Sequence, residues 1–431
     1  MVCDNITNEN GVLHFAGQNT LDLAEKYGTP LYLMDEDRIR NNCRVYLNAF
    51  KKHFGAGSEP LYASKACSFK RIYQIMREEG MGIDVVSPGE IYTASAAGYP
   101  MERAYFHGNN KTDDDVRYAI EKGVGYFVAD NYEEIDAIER EAEKAGIKQK
   151  VLLRLTPGID PHTYEAVATG KVDSKFGSPI ETGQAEEFVC YTLKMQHIEL
   201  RGFHCHVGSQ VFAEDVFERA AEIMLEFIAK MERDYGYKTA ELDLGGGYGV
   251  RYVETDGTID IEKKIGEVAA AIKAECAKLG IEMPCIHMEP GRSIVADAGM
   301  TLYTAGSVKR IPGYMNYVSV DGGMTDNPRY ALYESQYTCF AAGKLNEEND
   351  FVCSVVGRCC ESGDIIQPDV SMPSSIQRGD IVAVCTTGAY NYSMASNYNR
   401  VARPPVVMLK DGESYVAVRR ESYEDMCLND M

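Results

Sequence analysis

The sequence predicts an α/β protein with two domains: a (β/α)8 barrel and a second, mostly antiparallel β domain built from the N- and C-terminal segments. With 431 residues, the chain is too long for one ordinary hydrophobic core. Between residues 60 and 289, eight apolar, strand-like runs alternate with amphipathic helical stretches, and after residue 295 this alternation stops. We therefore predict the barrel over 35–295 and the β domain over 1–34 together with 296–431.

Two short strands precede the barrel in this prediction, at 12–15 and 31–34, with a helix over 19–27 between them. Gly28 follows that helix, as glycine commonly does at a helix C-terminus. A longer helix is predicted over 35–50. Because the two strands come before the first barrel strand and have no other sheet, we expect them to join the sheet of the second domain.

Strands that alternate with helices imply a parallel sheet, and eight such units match a closed barrel. An open, doubly wound sheet is the alternative. The predicted barrel strands are 60–64, 82–86, 104–107, 124–129, 150–156, 199–206, 240–244 and 284–289. The helices predicted between them are 68–79, 89–97, 112–122, 132–145, 184–195, 215–233 and 261–278. In the C-terminal domain, strands are predicted at 301–309, 314–320, 351–356, 381–385 and 415–419.

Composition limits the partners of the chain. A net charge of −21 argues against nucleic acid or an anionic membrane as a partner. No apolar run reaches the roughly 18 residues of a membrane helix, and the first residues have neither the basic nor the apolar part of a signal peptide. The thirteen cysteines include no CxxC pair, which predicts reduced thiols and a cytoplasmic location.

Lys65 closes the apolar run of the first predicted barrel strand. In a (β/α)8 barrel the active site forms at the carboxyl ends of the strands. A desolvated lysine there has a lowered pKa and can form a Schiff base with a carbonyl compound. The alternative is an ordinary lysine at a strand end that extends its amine into water.

Other polar side chains fall at the same strand ends, among them Asp84 in the second strand and Arg154 in the fifth. The sixth strand carries His204 and His206, which share a face because side chains alternate along a strand. This pair is compatible with a metal site, with a ring stacked on a flat cofactor, or with a core histidine bonded to the backbone. No third ligand of obvious spacing follows, so we predict no metal site.

The seventh strand runs into three consecutive glycines, Gly245, Gly246 and Gly247. Glycines let backbone amides approach an anion closely, and the loops after strands seven and eight form the phosphate site of many barrels. The chain lacks the GxGxxG frame of a dinucleotide site here. The eighth strand ends in Glu289, with Arg292 close behind it; a surface ion pair is the alternative interpretation of these two residues.

Two segments of the predicted second domain are unusually polar. Residues 357–364 place Cys360 next to Glu361 in a glycine-bounded turn. Residues 388–399, which include Tyr390, contain tyrosine and asparagine at a density that favours a ligand or subunit interface over a core segment.

In their order along the chain, these motifs resemble those of the alanine racemase-like (fold type III) pyridoxal-phosphate enzymes, and within them the diaminopimelate decarboxylases. The similarity extends from about residue 30 to residue 401. Each motif alone is weak or moderate, but their joint order is highly specific. The motifs are YASKA, HCHVGSQ, DLGGGYG, EPGRSIVADAG, CESGD and GAYNYSMASNYN.

The resemblance implies that Lys65 carries pyridoxal phosphate as a Schiff base, that His206 stacks on the ring, and that Glu289 bonds the pyridine nitrogen. Members of this family often have asparagine two residues after the lysine, where this chain has Cys67. The resemblance implies further cofactor contacts from Asp84, Arg154, Ser209, Gly245, Gly246, Gly247, Gly291, Arg292 and Tyr390.

The resemblance also implies a homodimer with shared active sites. Cys360 and Glu361 would reach the site from the partner subunit, with Cys360 as the proton donor to the carbanion. Together with Lys65 and His206, Cys360 completes the expected catalytic residues. Tyr390 would contact both cofactor and substrate.

The expected substrate is meso-2,6-diaminopimelate, decarboxylated to L-lysine and CO2 in the last step of lysine biosynthesis. Its far end is a second amino-acid group, whose carboxylate calls for an arginine fork. Arg292, Arg329 and Tyr333 match the family's substrate residues, and Glu361 can bind the distal ammonium. The alternatives are a related decarboxylase of ornithine, arginine or carboxynorspermidine, an alanine-type racemase, and an inactive homologue that binds a regulatory partner.

Overall fold

A computed structural model gives the fold of the chain over residues 1–159, 173–213 and 215–431. The N-terminal elements are β1 (Ile6–Glu9), β2 (Val12–Phe15), β3 (Gln18–Asn19), α1 (Thr20–Tyr27), β4 (Leu31–Asp35) and α2 (Glu36–His53). The predicted strands and helices of this part are therefore present, with β1 and β3 in addition.

The expectation that both N-terminal strands join the large second sheet is half right. β4 does so, pairing with two strands of the C-terminal part. β2 instead pairs antiparallel with β1 and β3 in a separate three-stranded sheet. The physical reason is local, because Asn10 and Gly11 both adopt positive φ between β1 and β2, the geometry of a tight two-residue hairpin.

The barrel confirms the predicted (β/α)8 architecture. Within the described residues, eight parallel strands follow one another around it, and the last pairs with the first through His287 and Glu59. The barrel strands are β5 (Glu59–Ala63), β6 (Gly82–Val85), β7 (Ala104–Phe106), β8 (Tyr126–Ala129), β9 (Gln149–Thr156), β11 (Ile198–His204), β12 (Glu241–Asp243) and β13 (Cys285–Met288). A two-residue strand, β10 (Ser178–Pro179), pairs with the end of β9.

The barrel helices begin and end where the sequence provides caps. The side chain of Ser87 accepts a hydrogen bond from the Glu90 amide at the start of one helix, and Gly80 and Gly146 adopt the left-handed conformation just after two others. The helices are α3 (Lys70–Glu79), α4 (Pro88–Ala96), α5 (Asp113–Glu121), α6 (Tyr132–Ala145), α7 (Gln184–Thr192), α8 (Val216–Tyr235) and α9 (Ile261–Leu279).

The second sheet is mostly antiparallel, as predicted. Among the described residues, its only parallel pairings are between β4 and β20 (Val406–Lys410) and between β15 (Tyr317–Val320) and β17 (Phe351–Val356). Its central strand is β14 (Gly299–Lys309), which pairs with β4, β15 and β19 (Ile381–Cys385). The elements are α10 (Arg292–Val295), β14 (Gly299–Lys309), β15 (Tyr317–Val320), α11 (Arg329–Tyr333), β16 (Cys339–Ala341), β17 (Phe351–Val356), β18 (Ile365–Met372), β19 (Ile381–Cys385), β20 (Val406–Lys410), β21 (Glu413–Val418) and α12 (Tyr423–Met426).

The chain divides into two compact units. One contains Cys43–Gly249 and Thr258–Gly291, and hence the barrel strands. The other contains Met1–Asn42, Val250–Gly257 and Arg292–Met431, and hence both remaining sheets. None of the helices in the described part of the chain combines the length and the apolar character that a membrane crossing requires.

Candidate active site

Lys65 lies at the carboxyl end of the first barrel strand, as predicted. β5 ends at Ala63, and a single 3-10 turn over Ser64–Ala66 carries the lysine. The structure contradicts the idea of a buried, desolvated amine, because Ser64 and Ala66 are fully buried whereas Lys65 is exposed. Its positive charge still lowers the pKa of His206. The amine therefore lies at the mouth of the barrel, accessible to a carbonyl compound.

Asp84 and Arg154, at the ends of β6 and β9, add opposite charges to this mouth. Asp84 is buried, and burial is the main cause that raises the pKa of its carboxyl. Burial likewise lowers the pKa of the Arg154 guanidinium, which lies 3.9 Å from Asp130 Oδ1 and 4.3 Å from the centre of the Phe176 ring.

Glu289 lies between two histidines. His107 Nε2 is 2.8 Å from its Oε1, and His204 Nε2 is 3.4 Å from its Oε2. All three side chains are buried. Burial favours the neutral acid, but the two imidazoles outweigh it and hold the pKa of Glu289 well below its usual value. Glu289 is therefore an ionised carboxylate inside the barrel.

His107 and Asp243 were missed by the sequence analysis. Together with His204 and Glu289 they place one ligand atom each within 4.8 Å of one another, so the set could hold a divalent cation. The prediction of no metal site rested only on the strand that carries His204 and His206, and it stays a prediction. Asp243 ends β12 and His107 follows β7, so the strand-end rule could have found both.

His206 belongs to the glycine loop and not to that cluster. Its Nδ1 accepts a hydrogen bond from the Gly246 amide at 3.2 Å, which leaves the proton of the neutral ring on Nε2. Burial, followed by the charges of Lys65 and Arg154, lowers the pKa of His206 well below its usual value. The imidazole is therefore neutral at pH 7 and presents a flat, uncharged ring.

The three glycines are required by close backbone approach. A Cβ on Gly246 would lie 2.0 Å from the Glu289 carbonyl oxygen, and one on Gly247 would lie 1.9 Å from the Gly208 carbonyl oxygen. Ser209 lies beside Gly247, with its Cα 3.6 Å from that Cβ position. The ends of the sixth, seventh and eighth barrel strands thus meet in a turn whose three glycines carry no side chains of their own.

Gly291 has a comparable role at the end of the eighth strand. A Cβ on it would lie 2.9 Å from the Ala63 Cβ, and the Ala63 amide donates to the Pro290 carbonyl at 3.1 Å. The loop after β13 therefore packs tightly against the segment that carries Lys65.

In the other unit, the structure brings together Arg292, Arg329, Tyr333 and Tyr390. Both guanidinium groups are buried. Their Cζ atoms lie 4.9 Å and 5.4 Å from the Tyr390 ring centre, and Arg329 lies 5.9 Å from the Tyr333 ring centre. Among the described residues, no carboxylate forms an ion pair with Arg329. Two cations side by side, with aromatic neighbours, are suited to binding an anion.

Tyr252 also belongs to this arginine pair, and the sequence analysis did not single it out. Its hydroxyl oxygen accepts hydrogen bonds from Arg292 Nη1 at 2.6 Å and from Arg329 Nη1 at 3.4 Å. Nothing in the local pattern marks it, because it follows the glycine loop in sequence and yet belongs to the unit that contains both arginines.

Cys360 and Glu361 are exposed, unlike the buried arginine pair. Asp364 shapes their turn by accepting a hydrogen bond from the Cys359 amide at 2.7 Å. Asn399 Oδ1 accepts one from the Cys360 amide, also at 2.7 Å. The predicted thiol and carboxylate are thus held in a defined turn, and their side chains are accessible.

Comparisons with known proteins agree on one group of enzymes. The family model described as pyridoxal-dependent decarboxylase, pyridoxal binding domain, matches residues 37–296. The chain is 45% identical over 424 residues to the diaminopimelate decarboxylase of Bacillus subtilis (strain 168), covering 98% of this chain and 96% of that protein. It is 44% identical over 423 residues to that of Staphylococcus aureus (strain COL), covering 98% of both.

Solved structures give the same result. The crystal structure of diaminopimelate decarboxylase from M. jannaschii in co-complex with L-lysine matches with a TM-score of 0.91 at 32% identity, covering 99% of this chain and 98% of that one. The Helicobacter pylori diaminopimelate decarboxylase complexed with L-lysine matches with a TM-score of 0.85 at 31% identity, covering 95% and 98%.

Proposed function

Since this chain belongs to the pyridoxal-dependent decarboxylase family, among the diaminopimelate decarboxylases, we propose that it converts meso-2,6-diaminopimelate to L-lysine and CO2. The observation that carries the choice of substrate is the buried pair of Arg292 and Arg329. A decarboxylase of ornithine or another substrate that ends in a bare amine needs an acidic partner there. Two guanidinium groups suit a substrate that keeps a carboxylate at its far end.

The residues of the barrel mouth fit the family cofactor, pyridoxal phosphate. The turn at Gly246 and Gly247, whose residues have no side chains to obstruct an anion, supports phosphate binding there together with Ser209 and Gly291. The exposed amine of Lys65 suits a Schiff base to the aldehyde. When bound, pyridoxal phosphate accepts the electron pair that remains after the carboxylate has left as CO2.

Each residue then has a distinct role in the proposed reaction. Glu289, held ionised by its two histidines, would accept a hydrogen bond from the ring nitrogen of bound pyridoxal phosphate and favour its protonated form. The neutral His206 would cover the cofactor ring without adding charge. We assign Asp84, Arg154 and the remaining contacts implied by the family to the same cofactor site.

We assign the protonation step to Cys360. After the carbon–carbon bond to the carboxylate breaks, the Cys360 thiol gives its proton to the carbon that lost CO2, and solvent then reprotonates the thiolate. Arg292, Arg329, Tyr333 and Tyr390 hold the far carboxylate. Glu361 holds the far ammonium through its exposed carboxylate.

Cys360 and Glu361 act in a homodimer in this proposal, reaching the active site of the partner subunit. Their exposure supports this, because a residue that serves a neighbouring subunit must be accessible on its own. We further propose a cytoplasmic location, since all thirteen cysteines are free.

The experiment is a substrate panel. Purified protein with pyridoxal phosphate is given meso-diaminopimelate, ornithine, arginine and carboxynorspermidine in turn, and CO2 release is measured. We expect release from diaminopimelate alone at a substantial rate. Rapid release from another substrate, with none from diaminopimelate, would contradict the proposal.

A matched pair of variants tests the observation that carries the proposal. Arg329→Lys keeps the charge but loses the planar fork, so KM for diaminopimelate should rise at least tenfold, because a bidentate arginine–carboxylate contact is lost. Arg117→Lys is the control, an exposed arginine in the middle of α5, and should leave KM unchanged.

A further inference from the structure

Tyr252 lies in the short segment Val250–Gly257, which follows the glycine loop in sequence and belongs to the same unit as the two arginines. The tyrosine is buried, with 5% of its surface exposed. Its backbone is held at both ends: the amide donates to Asp256 Oδ2 at 2.9 Å, and the carbonyl accepts from Thr338 Oγ1 at 2.9 Å. The position of its side chain is therefore set by the fold.

The Tyr252 ring is fixed as well. It meets the Tyr337 ring edge to face, with the centroids 5.4 Å apart and an angle of 89° between the planes. Edge-to-face contact is a preferred geometry for two aromatic rings and favours this orientation of the Tyr252 ring. The hydroxyl group is consequently presented at a defined point between Arg292 and Arg329.

Both guanidinium groups donate to that single hydroxyl oxygen, at 2.6 Å from Arg292 and 3.4 Å from Arg329. Their Cζ atoms lie 5.7 Å and 5.6 Å from the centre of the same ring. Two buried like charges repel each other, and a shared acceptor offsets part of that repulsion while setting their separation. In agreement, the two arginine charges outweigh burial and lower the pKa of Tyr252.

We propose that Tyr252 is a positioning residue that sets the spacing of Arg292 and Arg329 for the far carboxylate of the substrate. The chemical class selected is an amino acid with a carboxylate at the end remote from the reaction. This inference rests on the proposed function and deepens it, because it names what adjusts the arginine pair.

The test uses Tyr252→Phe in the holoenzyme, which removes only the shared oxygen. Two competitive ligands separate carboxylate recognition from general binding: L-lysine, which keeps the far carboxylate, and cadaverine, a diamine of the same length without any carboxylate. We expect KM for diaminopimelate and Ki for L-lysine to rise about tenfold or more, as charge-assisted hydrogen bonds are lost. Ki for cadaverine and kcat should change less than about threefold.

Tyr99→Phe is the matched control. Tyr99 is also buried, and its hydroxyl donates to the Met81 carbonyl at 2.7 Å, at the amino end of β6. The Tyr99→Phe variant should leave KM for diaminopimelate and Ki for L-lysine and cadaverine unchanged. Thermal unfolding and the absorbance of the bound cofactor confirm that both variants are folded and loaded.

An unchanged Ki for L-lysine in Tyr252→Phe would overturn the role of Tyr252. An equal loss of L-lysine and cadaverine binding would overturn it as well, because a merely structural role predicts that result. Failure of the proposed function is seen separately, as absence of CO2 release from diaminopimelate by the unaltered protein. The two ligands report on Tyr252 even then, because their binding requires no turnover. An unaltered protein that binds L-lysine no better than cadaverine would also reject this role.

Discussion

Burial and neighbouring charge oppose each other at the carboxyl ends of the barrel strands, and their balance decides which side chains are ionised. Glu289 stays charged because two imidazoles flank it. His204 is neutral, since burial lowers its pKa to about 4. Burial and the charge of Glu289 raise the pKa of Asp243 well above its usual value. Glu289 is thus the carboxylate that its histidine neighbours hold ionised against burial.

Lys65→Ala should abolish the Schiff-base absorbance of the cofactor and lower the activity at least 10³-fold, because the covalent link is assigned to this amine. The measurement is the absorbance spectrum together with cofactor trapped by borohydride. Lys70→Ala is the control, an exposed lysine at the start of α3. An undiminished amount of trapped cofactor in Lys65→Ala would refute the assignment.

At the scale of the secondary-structure elements, the barrel strand ends that carry the site residues are held by backbone contacts that only glycine permits. The glycine loop after β12 touches the backbone carbonyls of Glu289 and Gly208. A backbone carbonyl cannot swing away as a flexible side chain can. The loop therefore joins the ends of three strands into one turn, and any side chain added there must displace a strand end.

Gly246→Ala should lower the thermal midpoint by several degrees and weaken cofactor binding at least tenfold, because its Cβ would lie 2.0 Å from a carbonyl oxygen. Gly89→Ala is the control: it lies in helix α4, and the nearest atom to its added Cβ is 3.6 Å away. This control should be neutral or slightly stabilising. Equal behaviour of the two variants would contradict the steric argument.

Asp326, in the turn before α11, should make the free energy of unfolding depend on pH. Asp326 accepts hydrogen bonds from the Tyr303 hydroxyl and the Gly323 amide, and burial raises its pKa to about 7. Between about pH 4 and pH 7 the folded state therefore holds a proton that the unfolded state has released. The stabilisation from this group is fully present below pH 4 and is lost as the pH rises through 7.

Asp326→Asn should remove that part of the pH dependence, on the order of 4 kcal/mol at most for a shift of about three units. The measurement compares the free energies of unfolding of both proteins in urea at pH 5 and pH 7.5. We expect the decline between these two values to be smaller in the variant. An identical decline would show that Asp326 does not titrate in this range.

At the scale of the whole molecule, one chain contains every residue of the proposed site, but Cys360 and Glu361 are exposed. The proposed homodimer would join the barrel mouth of one subunit to this turn of its partner. Subunits with shared sites can complement each other, because a mixed dimer regains one site in which every residue is intact.

Complementation tests this sharing directly. Lys65→Ala and Cys360→Ala should each be nearly inactive, and a refolded equal mixture should recover about a quarter of full activity, since half of the dimers are mixed and each has one intact site. The control mixes Lys65→Ala with the double variant that carries both Lys65→Ala and Cys360→Ala. Neither protein has Lys65, so this mixture should stay inactive. No recovery in the first mixture would contradict the shared site.

Local pattern was sufficient for most of the fold. The eight barrel strands and their helices lie within a few residues of their predicted positions, because each alternation of apolar and polar residues is encoded within its own segment. β16, β18 and β20 were not predicted from the sequence. β18 contains Pro368 and a positive φ at Asp369, which interrupt the pattern of a strand.

By itself the sequence determined the barrel and the predicted residues at its strand ends, such as Lys65, Glu289 and the glycine loop, because strand ends and motifs are local properties. Only the tertiary structure decided which distant side chains meet. His107 reaches Glu289 because the barrel closes on itself, and Tyr252 joins the arginine pair because its segment leaves the barrel unit. Contacts of this kind depend on chain topology, which no local periodicity encodes.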